Sequence, residues 1–240
     1  MFLFWRLILG HFLSDFTFQA NWINHWKRSA HTGMLIHCLT HPVVYAVLTY
    51  EYLFAPWVQT RYFTLNGVES ILIITFIHYL EDVWRVYTIK RFKTPDNTLY
   101  FAWDQIIHIS SIFIFFGIQP DRTSFVIPEP WVIVGILAVG ATHFSVVLAY
   151  FFDKDLHGKP YPGTKEKYVA IAERLAAFSS LAFLPNLWLG IILSLIVIEA
   201  PRIMLSERLK IERPPHFSWT VGSAIALICG LLARAVLAYF

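Results

Sequence analysis

Residues 68–87 read VESILIITFIHYLEDVWRVY, an apolar run broken by Glu69 at one end and by His78, Glu81, Asp82 and Arg85 toward the other. About twenty mainly apolar residues are what an α-helix needs to cross a bilayer. His78 and Asp82 lie four apart, which stacks them on one helix face one turn from each other. Ionisable residues inside a membrane helix are costly and by default mark function. The arrangement recurs in three other apolar runs: His11 with Asp15 in GHFLSDFTFQ (10–19), His37 with His41 in LIHCLTHPVVY (35–45), and Asp104 with His108 in WDQIIHISSIF (103–113).

Composition agrees with the membrane reading. The 240 residues are 57% hydrophobic and 15% charged, with a mean hydropathy of +0.55, whereas soluble domains are nearer a quarter charged. The expected fold is therefore an all-α, polytopic transmembrane bundle of seven or eight spans. These are Phe2–Gln19, Gly33–Leu53, Val68–Tyr87, Tyr100–Gly117, Trp131–Phe151, Val169–Leu184, Leu187–Leu205 and Phe217–Phe240. Pro185 and Asn186 separate the sixth from the seventh, since proline breaks a helix, and these two short segments also suit a re-entrant hairpin. The first run lacks a basic n-region, so no cleavable signal peptide is expected. Cys38 and Cys229 both fall in apolar segments and support neither a disulfide framework nor a cysteine metal site.

Three regions are expected: a five-helix bundle over 1–152 carrying the His/Asp pairs, a cytoplasmic linker over 153–168, and C-terminal helices over 169–240. Loop charge sets the orientation by the positive-inside rule. One face receives fourteen lysines and arginines, from Lys27 and Arg28 to Arg213, and the other only Arg61 and Arg122. The N-terminus is then extracytoplasmic, and all four pairs fall at one depth, near the cytoplasmic face. Nothing in choosing the span boundaries forces that coincidence.

Five imidazoles and three carboxylates suit a divalent first-row metal, zinc foremost. Eight donors exceed what one tetrahedral zinc takes; they match two ions, or one ion with an outer shell of supporting groups. Two bridged ions can clamp the attacking and leaving oxygens of a phosphoester, with Asp82 and His78 as the candidate catalytic pair. For any single pair the plain reading is an interhelical hydrogen bond. Haem ligation gives no use to an aspartate one turn away, and a proton or metal-ion pathway uses the same residue types.

Around the pairs, Gln19 extends His11 and Asp15 into a polar stripe, and Gln105 points about 100° from Asp104 on an ideal helix, as a supporting or packing residue. Glu173 with Arg174 and Glu199 with Arg202 suggest a salt-bridge network between the sixth and seventh spans; alternatively Arg174 or Arg202 takes an anionic headgroup. Trp57, Trp103 and Trp131 fall at span ends, as an interfacial aromatic belt does. The expected partners are membrane lipid, with further membrane proteins or a second copy of the chain, and no nucleic acid.

The four motifs, in this order, resemble the bacterial multi-pass membrane family catalogued as domain of unknown function 3307, over roughly the first 118 residues. That resemblance implies the fold and the motif, placed in the bacterial inner membrane, but no reaction. More distantly, the helical HxxxD and HxxxH pairs are similar to those of the LexA-regulated membrane-bound metal-dependent hydrolases. The functional expectation is thus a metal-dependent hydrolase of a lipid phosphate or ester, against a non-catalytic subunit of a membrane complex or a proton or metal-ion transporter.

Overall fold

The computed structural model describes residues 2–117, 126–209 and 216–239, and the side chains of 200–218 are not considered. The chain is all-α apart from one short hairpin, and it divides into two compact units, Met1–Val132 and Ile133–Phe240.

The first unit opens with α1 (Phe2–Phe12), which continues into a π-helical turn, Leu13–Thr17. Next come α2 (Asn21–Ser29), α3 (His31–Leu48), the antiparallel strands β1 (Pro56–Gln59) and β2 (Thr64–Asn66), α4 (Gly67–Phe92) and α5 (Thr98–Phe115). Local chemistry explains several boundaries. Asn66 and Glu69 form a capping box, with Asn66 Oδ1 accepting from Glu69 N at 3.0 Å and Glu69 Oε2 from Asn66 N at 2.8 Å. Asn97 caps α5 through the Tyr100 amide at 3.0 Å, and Lys93 ends α4 in the left-handed region at φ 55°.

Polarity in this unit is inverted. On α3 the exposed side chains include Leu35, Leu39, Val43 and Val47, one turn apart, while His37 and His41 are buried. On α4 Leu72, Phe76, Leu80 and Trp84 face outward, and His78 and Asp82 face inward. Water-soluble bundles place such residues the other way round. Rows of exposed aliphatic and aromatic side chains instead suit a hydrocarbon surround.

Two elements differ from expectation. The link between the second and third spans is a β-hairpin rather than a plain loop, and it carries Trp57 into the interior. That side chain is 1% exposed, donates from Nε1 to the Tyr52 carbonyl at 2.9 Å, and leaves so little room that a Cβ on Gly67 or Gly117 would meet it within 2.9 Å. It is not a belt residue, because its indole N–H finds its partner inside. Trp103 and Trp131 do lie exposed. The link between the first two spans contains α2, a nine-residue helix with two tryptophans, Trp22 and Trp26, stacked at 6.1 Å.

In the second unit α6 (Glu129–Val139) passes through a π turn, Gly140–Phe144, into α7 (Ser145–His157), followed by α8 (Thr164–Phe183), α9 (Leu187–Leu209) and α10 (His216–Tyr239). Its core is built from Val134, Ala141, Phe178, Ala182, Ala226 and Ala233. Residues 133–152 therefore group with the C-terminal helices rather than closing a five-helix N-terminal bundle. The stretch expected as a linker is largely helical, because α7 runs on to His157 and α8 starts at Thr164.

Three helices are long and apolar enough to cross a membrane, Thr98–Phe115, Glu129–His157 and Trp219–Tyr239, with a shorter apolar helix at Leu187–Glu199. Of the others, α1, α3, α4 and α8 overlap expected spans and α2 does not; histidines lower the hydropathy of α3, and acidic and basic residues that of α4.

Candidate metal centre

Four helices of the first unit converge on one point. Asp15, on the π turn that continues α1, sits at its middle. Asp15 Oδ1 lies 3.2 Å from His37 Nε2, 3.2 Å from His41 Nε2 and 3.6 Å from His78 Nε2, while its Oδ2 lies 3.6 Å from His11 Nε2. Asp82 Oδ2 is 3.3 Å from His37 Nε2 and 3.5 Å from His78 Nε2, and Asp104 Oδ2 is 3.6 Å from His108 Nε2. The imidazoles of His41 and His78 stand 3.9 Å apart between ring centres, and those of His78 and His108 4.1 Å. All five histidines are at most 2% exposed.

Close packing of helices brings this about. A Cβ on Gly10 would sit 2.6 Å from the Tyr45 ring, so the missing side chain lets α1 approach α3 beside His11. The π turn carries Asp15, and such turns are frequent at functional sites.

Three overlapping groups have donor atoms mutually within 4.8 Å and can hold a metal ion: His11, Asp15, His41 and His78; His37, His78 and Asp82; and Asp82, Asp104 and His108. Two observations test the fit. Bonds of about 2.1 Å to one ion leave two ligand atoms roughly 3.4 Å apart at tetrahedral angles, and the nitrogen–oxygen separations here run from 3.2 to 3.6 Å. A hydrogen bond would draw the same atoms to about 2.9 Å. Moreover, His41 Nε2, His78 Nε2, His108 Nε2, Asp15 Oδ1 and Asp104 Oδ1 are buried without a hydrogen bond, a state buried polar atoms rarely keep. The donor set therefore fits a divalent ion.

The segment holding this cluster also carries a family signature: residues 3–131 match the family described as "Protein of unknown function (DUF3307)". The chain belongs to that family. No curated protein and no solved structure matches it. The DUF3307 segment contains all eight candidate ligands, and it reaches beyond the four motifs to the first residues of α6.

Within it, the two expected supporting residues fall differently from each other. Gln105 is buried between His11 and Asp104, with Oε1 3.1 Å from His11 Nε2 and Nε2 donating to Asp104 Oδ2 at 3.3 Å. Gln19 lies past the π turn, in the non-helical link to α2, so the stripe on α1 stops at Asp15.

Lys27 is the site residue that sequence reasoning missed, since it counts there as loop charge. It stands on α2, and its ammonium lies 3.3 Å from both Asp82 oxygens and 3.3 Å from His37 Nε2. Burial pushes its pKa down, but Asp82, with Asp15 and Asp104, outweighs that and raises it above the ordinary lysine value. Arg28, the next residue, pairs with Asp96 at 3.0 Å, and Arg85 of α4 donates to the Pro95 carbonyl at 2.8 Å, so α2 is tied to the turn before α5. Trp22 and Trp26, four apart, signal a helix, but nothing in the sequence says that Lys27 turns inward.

Beyond the DUF3307 segment, Arg174 of α8 donates to Ser145 Oγ on α7 at 2.9 Å, and its guanidinium fills the space beside Gly222 of α10. It thus braces α7, α8 and α10 within the second unit. The side chain of Arg202 lies outside the described residues. Arg234 does a job the sequence did not announce: it donates to the carbonyls of Leu181 at 3.2 Å, Leu184 at 2.5 Å and Pro185 at 2.6 Å, satisfying the open end of α8.

Proposed function

We propose that this protein is an integral protein of the bacterial inner membrane that holds a divalent metal ion, zinc foremost, and hydrolyses a lipid phosphate or ester with it. The observation that carries the metal is the combination of nitrogen–oxygen separations of 3.2 to 3.6 Å with buried ring nitrogens that make no hydrogen bond. The outward rows of apolar side chains on α3 and α4 support the membrane setting. In this reading α1, α3, α4, α5, the α6–α7 helix, α8, α9 and α10 are the crossings, with α8 and α9 either spanning or forming a hairpin. The positive-inside rule then puts the N-terminus outside and the cluster near the cytoplasmic face. A reporter enzyme active only outside the cytoplasm, inserted in the β1–β2 turn, should be active; an inactive one would reverse the orientation.

A bound divalent ion polarises a phosphoryl or carbonyl oxygen and makes water a better nucleophile. The chain supplies the rest. His78 and Asp82 belong to the group that links the other two, and in this reading they take and return a proton. Asp104 has 16% of its side chain exposed, the most among the eight candidate ligands, and in this reading marks the side from which a headgroup enters. The distant similarity to LexA-regulated hydrolases belongs to this proposal alone. Metal analysis of purified protein, followed by assays of lipid phosphate and ester cleavage by wild type, His78→Ala and Asp82→Ala, tests it. Metal-free wild type, or cleavage unchanged in both variants, would sink it.

A second reading has its own support. His11, Asp15, His41 and His78 are all buried, and a closed four-residue set is what structural metal sites use. A non-catalytic subunit stapled by the ion would lose thermal stability, and no activity, on chelation.

A further inference from the structure

We propose that Lys27 is a built-in cation standing in for a second metal ion, so that the cluster holds one divalent ion; this rests on the metal-site reading above. Of the three ligand groups, two depend on Asp82. The Lys27 ammonium lies 3.3 Å from each oxygen of that carboxylate and equally close to His37 Nε2, and its side chain is 13% exposed. It therefore touches two members of the His37, His78 and Asp82 group directly. A dication brought to either Asp82-dependent group meets an adjacent positive charge and a carboxylate already engaged.

The remaining group, His11, Asp15, His41 and His78, makes no hydrogen bond or ion pair with the ammonium and keeps His41 Nε2 and His78 Nε2 unbonded. Charge arithmetic points the same way. Asp15, Asp82 and Asp104 together carry three negative charges when ionised, and one dication with one ammonium carries three positive ones. Two dications in addition to Lys27 would leave the buried cluster two charges positive, a state a low-dielectric interior disfavours.

The chain also shows how the cation is delivered. Lys27 comes from α2, which the close approach of Trp26 to Gly33 seats against α3: a Cβ on Gly33 would lie 2.5 Å from the Trp26 backbone. Arg28 fastens the same helix to Asp96. The ammonium is thus anchored on both sides.

The experiment is zinc titration and elemental analysis of the detergent-purified full chain, stripped of metal and reloaded with Zn²⁺. Wild type should bind one equivalent. Lys27→Met, which keeps the stem and removes the charge, should bind two, or bind a second at least tenfold more tightly than wild type does. Lys27→Arg should stay at one. Lys27→Gln serves as a second neutral variant, with monodispersity checked for each. Two equivalents of similar affinity in wild type would overturn the inference without any variant, as would Lys27→Met and Lys27→Gln holding at one, or Lys27→Arg rising to two. A wild type that binds no zinc overturns the metal-site reading itself.

Discussion

At the scale of single residues, Asp15 is the connection through which most of the cluster runs, since its carboxylate faces four imidazoles. Asp15→Asn keeps the shape and removes the charge, so it should weaken zinc binding by more than Asp104→Asn, whose oxygen faces one imidazole; competition with a chelator measures both. Gln105 acts one step out, fixing the His11 ring through a 3.1 Å contact. Supporting groups of this kind are worth roughly 10- to 100-fold in metal affinity, and Gln105→Ala should lose about that much in the same titration. The eight clustered residues were legible because four-residue spacing in an apolar run has few other uses. Gln105 was harder to place, because an ideal helix turns it away from Asp104 and the sequence does not show that His11 comes to meet it. Lys27 was illegible, because a basic residue between spans reads as loop charge until the fold shows which way it points.

At the scale of elements, two contacts set where helices meet. Gly10 lets α1 close on α3, and Gly10→Ala would press a Cβ to within 2.6 Å of the buried Tyr45 ring. Overpacking of that sort typically costs about 1–3 kcal/mol, and here it also displaces His11, so lowered thermal stability and weakened zinc binding should appear together. Asn66→Ala tests the capping box alone: it should lower stability by about 1 kcal/mol and leave zinc stoichiometry unchanged, because the cap lies roughly three helical turns from His78 and more from Asp82. The helices themselves were readable from apolar runs and from breakers such as Pro185. The β-hairpin was not, since Pro56–Gln59 and Thr64–Asn66 are too short for a period-two pattern to register. The hairpin puts Trp57 in the interior rather than in an interfacial belt.

At the scale of the whole molecule, the cluster and its supporting residues lie within Met1–Val132, while Arg174, Ser145 and Arg234 brace Ile133–Phe240 internally. Changes in the second unit should therefore alter stability without touching metal content. Arg234→Ala, which strips three carbonyls at the end of α8 of their donor, should lower the melting temperature while zinc analysis returns the wild-type value. A parallel loss of zinc would mean that the two units depend on each other for folding. The sequence suggested three regions and put the first boundary between residues 152 and 153, inside α7, because the apolar run ends there while the helix continues to His157.

The π turn at Leu13–Thr17 has a genetic consequence. Such a turn is an α-helix holding one residue more than its regular period, and Asp15 lies within it. Excising that codon should let the backbone relax to regular α-geometry with the flanking residues still in phase. Most in-frame deletions within a packed helix ruin the whole protein. This one should give a separation-of-function allele, in which the chain accumulates normally in the membrane fraction and carries no zinc.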